Sequence, residues 1–158
     1  MNATEQALKS AGLALPPAAA PAANYVPYVL EGDTVYVSGQ LPLIDGSLVA
    51  TGRVGESVDI ETATKAAQAC ALNIIAQVKA ACGGDLSRVK QVLKLGAFVA
   101  SAPDFTAHPQ VVNGASDLMV LAFGEAGRHA RFAVGTNVLP LNTCVEIDAV
   151  VALKPSKA

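Results

Sequence analysis

A chain of 158 residues is the size of one ordinary domain and can bury a core without metal or disulfide staples. Its net charge of −2, with Lys and Arg scattered and no basic run, removes the electrostatic footprint that nucleic-acid binding needs. Hydrophobic residues make up 52% and charged residues 15%, against a usual ~25% charged, so part of the surface is expected to be covered by a partner, a second copy being the simplest one.

Residues 4–11 suit a short helix with Thr4 as its N-cap. The stretch 13–24, LALPPAAAPAAN, contains prolines that forbid a helix, so residues 1–24 read as a helix followed by an extended surface arm. A single domain is expected over 25–158. Val26–Leu30 and Thr34–Ser38 flank Glu31-Gly32-Asp33 and predict a β-hairpin. Gly39 breaks the second run, and residues 41–48 form a loop with its own Asp-Gly turn. Residues 59–82 are the clearest helix, with Asp59 as N-cap and Gly83-Gly84 as the stop. Ala63, Ala67, Cys70, Ile74, Val78 and Ala81 form one apolar stripe along it.

Residues 89–101 are strand-like, and Val111–Phe123 suits a second helix. His108 and Pro109 precede it in a turn, and Gly124–Gly127 forms a loop. Two strands close the chain, 131–139 and 143–153, with Pro140-Leu141-Asn142 between them as a hairpin link. In the last strand Val145, Ile147, Ala149, Val151 and Leu153 share one face, while Cys144, Glu146 and Asp148 share the other. The expected fold is α+β in the order ββαβαββ: a mainly antiparallel sheet, two helices on one face, the other face free for an interface.

Few residues advertise chemistry. Cys70, Cys82 and Cys144 show no metal spacing and read as buried, reduced thiols. His108 and His129 are isolated, so no metal site is expected. The start carries no basic, apolar leader and no stretch reaches the ~18 apolar residues of a bilayer span, so the expected location is cytoplasmic, away from membranes. The informative pair is Arg131, opening an otherwise apolar strand, and Glu146, inside the next one. Charges in such strands are costly unless paired or used. Two readings follow: the residues pair with each other on the sheet, or they serve a site.

Tyr36–Leu43 (YVSGQLPL), the helix around Asn73, VLKLGAFVAS followed by Asp104-Phe105, Asn113, and RFAVGTNVLP with TCVEIDAVVAL together resemble the YjgF/Rid family of reactive-intermediate deaminases. The resemblance spans about 25–153. It implies a chorismate-mutase-like fold, a homotrimer, clefts between subunits, and no cofactor or metal. It further implies hydrolysis of 2-imino or enamine acids to 2-keto acids and ammonia. Arg131 matches the residue that holds the substrate carboxylate, and Glu146 the acid that positions the attacking water. Ser38 and Asn113 match cleft residues, Asn113 after a one-residue gap. Tyr25 matches the aromatic wall, with Tyr28 as its competitor. Ala133 stands where the family's deaminases usually carry Cys. The alternative reading is a module that binds small carboxylates without turnover. Ribonuclease, a label some family members bear, finds no basic track, aromatic platform or histidine pair here.

Overall fold

The computed structural model describes residues 2–21 and 23–156. Met1, Ala22, Lys157 and Ala158, which fall within the expected arm and domain, lie outside them. The element order is α1 (Ala3–Ser10), β1 (Tyr28–Glu31), β2 (Thr34–Gln40), β3 (Leu43–Ile44), β4 (Ser47–Leu48), α2 (Ile60–Ala81), β5 (Val89–Ala100), α3 (His108–Phe123), β6 (Ala130–Thr136) and β7 (Val145–Leu153). This is the expected ββαβαββ pattern with α1 and the small β3–β4 hairpin added.

Five strands form one mixed sheet in the order β1-β2-β7-β5-β6. All neighbours are antiparallel except β5 and β6, which run parallel with α3 as their crossover. The expected β6–β7 hairpin does not exist. β5 lies between the two strands, and residues 137–144 carry the chain past its C-terminal end. A turn cannot return β6 onto β7 because β6 spends its one inner edge on β5. The linker is instead long enough to step across one intervening strand, twice the ~4.8 Å interstrand spacing. Within it Leu141 and Asn142 take left-handed φ of 57° and 60°.

The residues facing the helices are apolar because strand side chains alternate. Val35, Val37, Leu95, Ala97, Val99, Val145, Ile147, Ala149 and Val151 are all buried. Asp59 caps α2 by accepting from the Thr62 N–H at 2.7 Å, and Gly83 and Gly84 take positive φ beyond its end. Its burial is wider than one stripe. Ala66, Ala69, Ala71, Ile75 and Ala76 are buried beside the expected positions, while Ala81 is only partly so. The helix is packed against the sheet, α3 and β3, and its alanines allow that approach.

α3 begins at His108, three residues earlier than the periodicity indicates, with Pro109 in its first turn where a missing N–H costs nothing. The segment after it, Gly124–Gly127, is a 3-10 turn and not an irregular loop. α1 is capped by Asn2, whose side chain accepts from the Glu5 N–H at 3.0 Å, and not by Thr4, which is buried. Leu8 is 1% exposed in the common core, and Glu5 pairs with Lys79 of α2 at 2.6 Å. The arm then runs extended across α2, where Gln77 Nε2 donates to the Ala19 carbonyl at 2.8 Å. No helix among the described residues is long and apolar enough to cross a membrane.

Candidate functional site

The expected site residues fall into two groups on opposite faces of the sheet. The first is on the open face, where β2 carries a bulge. Val37 pairs with Ala149 and Gln40 with Ile147, so Ser38 and Gly39 together oppose Asp148. Bulges re-aim side chains beside functional sites. The Ser38 hydroxyl donates to the Val26 carbonyl at 2.7 Å, and its N–H bonds to Pro27 O at 2.9 Å.

Gly39 lies under the Glu146 carboxylate, which occupies the space a Cβ would take. Glu146 lines an open depression of about 400 Å³ with Gly96, Phe98, Thr136, Leu139 and Asp148. Partial burial pushes the Glu146 carboxyl above the usual glutamate range, and the charge of Asp148 pushes it the same way. Asp148 Oδ1 is held by the Gly96 N–H at 3.0 Å. Tyr25, 49% exposed, lines the adjoining depression with Gly39, Gln40, Asn73 and Leu141, whereas Tyr28 packs on the core. Of the two tyrosines, the one at the depression is Tyr25.

The second group lies at the outer edge of the sheet, on the helix side. Arg131 is in register with Leu95, and Ala133 with Ala97, both of which point into the core. The register places Arg131 opposite in facing to Phe132, which meets Phe98 edge to face at 5.4 Å on the open side. Arg131 Nη1 donates to Ser116 Oγ at 3.0 Å, and Nη2 to Pro109 O at 3.3 Å. Asn113 is exposed one turn from both Pro109 and Ser116 on α3, so it shares their side of the helix. Ala133 packs partly buried on the core.

Arg131 and Glu146 therefore do not pair. They occupy opposite faces, and among the described residues no carboxylate lies within ion-pair distance of Arg131. Gly39, next to Ser38, is shared by the depressions that Tyr25 and Glu146 line, while Arg131, Ala133 and Asn113 lie apart from them on the helix side of the outer edge. Sequence reasoning missed Gly39 as the floor under Glu146, and it missed Ser116 and His129 beside Arg131. Alternation put Asp148 on the face of Glu146, but no signal linked Ser116 to His129. His108 is hydrogen-bonded to Ser101 at 3.1 Å. Among the described residues, no group of three or more His, Cys, Asp or Glu is placed to hold a metal ion.

A mixed five-stranded sheet with helices packed on one face makes this an α+β protein. The family model described as "YjgF/chorismate mutase-like, putative endoribonuclease" matches residues 5–152, and the chain belongs to that family. It is 52% identical over 147 residues to Protein TCP17 of Trypanosoma cruzi, covering 92% of this chain and 91% of that one. Among solved structures, Atu1372 of Agrobacterium tumefaciens, a protein of unknown function, is 52% identical, with TM-score 0.91 over 96% of this chain and 92% of that one. A "putative endoribonuclease" from Shewanella oneidensis MR-1 is 39% identical, with TM-score 0.92 over 96% and 100%.

Proposed function

We propose that the protein is a homotrimeric, cofactor-free hydrolase of 2-imino and enamine acids, working in clefts where Glu146 of one copy meets Arg131 of the next. One observation carries the reading: the two charged residues lie on opposite faces of one chain, each without an ionic partner among the described residues. A ligand whose carboxylate and reacting carbon are adjacent atoms cannot touch both within one chain. A cyclic assembly that sets the open face of one copy against the outer edge of another joins them.

The chemistry then follows from the side chains. Arg131 uses two of its five N–H donors internally, leaving three for a two-point grip on a carboxylate. Holding the carboxylate fixes the neighbouring C=N carbon. Glu146, as carboxylate, takes a proton from water as its oxygen bonds to that carbon. It passes that proton to the imine nitrogen, giving a carbinolamine, then takes the hydroxyl proton and delivers it to the same nitrogen as the C–N bond breaks and the C=O bond forms, releasing ammonia and the 2-keto acid. A carboxyl held above the usual range suits a group that must both accept and give a proton.

Ala133, where a thiol would flank Arg131, favours the second reading, a cleft that binds small carboxylates without turnover. The test generates 2-aminoacrylate or 2-iminobutanoate in situ and follows its decay. The enzyme reading expects faster decay that disappears in Arg131→Ala and loses rate more than affinity in Glu146→Gln. Unchanged decay with 2-oxobutanoate bound would leave the binding module, and Glu146→Gln would then be nearly silent.

A further inference from the structure

Ser116 Oγ lies between two side chains that no sequence motif connects. Arg131 Nη1 is 3.0 Å from it and His129 Nε2 is 2.8 Å from it. The other ring nitrogen of His129, Nδ1, is 2.6 Å from the Gly127 carbonyl. A carbonyl oxygen only accepts, so Nδ1 carries the ring hydrogen. A neutral ring with hydrogen on Nδ1 has a bare Nε2, which must accept, and the donor within reach is the Ser116 hydroxyl. That commits the hydroxyl hydrogen to His129 and turns an oxygen lone pair toward Arg131, whose guanidinium can only donate. Every hydrogen in the chain from Gly127 O to Arg131 thus has one direction.

The surroundings keep this chain in place. Ser116 is on the middle of α3, and His129 immediately precedes β6, two residues from Arg131. Gly127 is buried against α3, and a Cβ there would collide with the Met119 backbone carbonyl. The turn can therefore lie close enough to present its carbonyl to the ring. On the other side of the guanidinium, Pro109 O in the first turn of α3 accepts from Nη2.

We propose that Ser116 and His129 are positioning residues that hold the Arg131 fork for a ligand carboxylate. The proposal rests on the reading of Arg131 as the carboxylate anchor. Arginine is long and rotamer-rich, and a fork already clamped on its inner side loses less freedom when a carboxylate arrives on the outer side. Neither residue touches the ligand in this scheme. Both act through the orientation of one oxygen.

Two measurements on the intact protein test it. The first is the ring ¹⁵N spectrum of His129 near neutral pH, which is expected to show hydrogen on Nδ1 and a bare, hydrogen-bonded Nε2. Hydrogen on Nε2 would overturn the relay whatever the ligand does. The second is calorimetric titration with 2-oxobutanoate. Ser116→Ala and His129→Phe are each expected to weaken binding roughly three- to tenfold, the scale of one hydrogen bond. Ser116→Thr, which keeps the hydroxyl, should restore affinity, and the Ser116→Ala, His129→Phe double variant should lose little more than either alone. Loss of binding in Arg131→Ala, with Ser116→Ala and His129→Phe binding like the unmodified protein, would overturn the relay while leaving Arg131 as the anchor. Binding unaffected by Arg131→Ala, or none in the unmodified protein, would overturn the anchor reading and this role with it.

Discussion

Glu146 is held half-buried over Gly39 with a second carboxylate, Asp148, two residues along the same face. Burial first, and then Asp148, raise its pKa above the ordinary glutamate value it has in the unfolded chain. The sign of the linkage follows. Below the unfolded value both states hold the proton and the site costs nothing. As pH rises through the folded value, the ionised group must be kept where water solvates it poorly, and stability is lost. Glu146→Gln removes that titration. Thermal melts should show the variant gaining on the unmodified protein between pH 4 and pH 7, with the gap closing at the acid end. A gap that widens on acidification would mean that Glu146 is stabilised as an anion in the folded protein. The cysteines tell the same story of solvation: burial pushes Cys144 up to about 11 and raises Cys70 as well, so neither is a ready nucleophile.

Between elements, two contacts set how the helices lie on the sheet. Gly114 of α3 crosses α2 so closely that a Cβ would enter the shell of the Thr64 carbonyl oxygen. Backbone on one side and helix on the other leave nothing soft to move. Gly114→Ala should therefore destabilise the fold by about 1–3 kcal/mol in urea unfolding, although alanine is the better helix former. A stabilised variant would show that the two helices separate freely. Asn73 of α2, 4% exposed, spends its Nδ2 on the Leu41, Leu43 and Ala69 carbonyls at 3.0–3.1 Å. It pins the chain leaving β2 beside Gly39 and Tyr25. Asn73→Ala takes the side-chain donor from these carbonyls, although Leu41 O keeps the Leu43 N–H, and should cost about 2 kcal/mol, with faster amide exchange across residues 41–48. Unchanged exchange there would mean that the β3–β4 hairpin holds itself.

At the level of the whole molecule, the open sheet face is the feature that one chain leaves unfinished. Val29, Tyr36, Phe98, Phe132 and Val134 are 36–51% exposed there, around the depression that holds Glu146. A patch of that kind marks an interaction surface. Under the proposed assembly, light scattering at micromolar concentration should give three times the chain mass. Phe98→Asp, which puts a charge in the middle of the face, should release smaller species. A monomer mass for the unmodified protein would leave Arg131 and Glu146 on separate faces and remove the shared cleft. The charge of the whole chain bears on the ribonuclease label. The net charge is −2, and the two histidines are each engaged by a serine. A gel shift with RNA at low salt should show no complex. Tight binding under those conditions would overturn the charge argument.

Local pattern was legible wherever one chain segment carries its own evidence. The Asp59 cap, the Gly83-Gly84 stop and the alternation from Val145 to Leu153 were readable because capping and pleat repeat every few residues. They identified α2, β7 and the shared face of Glu146 and Asp148, and the spaced landmarks pointed to the family. Only the tertiary structure decided which strands are neighbours. β6 and β7 are adjacent in sequence, yet β5 lies between them, because backbone hydrogen bonding is the same for any partner and carries no address. The facing of β6 was equally hidden. Arg131 and Ala133 alternate with Phe132 and Val134, so neither face reads clearly as inner, and the sign was set only when Leu95 and Ala97 took Arg131 and Ala133 as register partners. That choice put Arg131 on the side away from Glu146 and beside Ser116 and His129, a contact made by packing α3 against an edge strand and by nothing in the spacing of the residues.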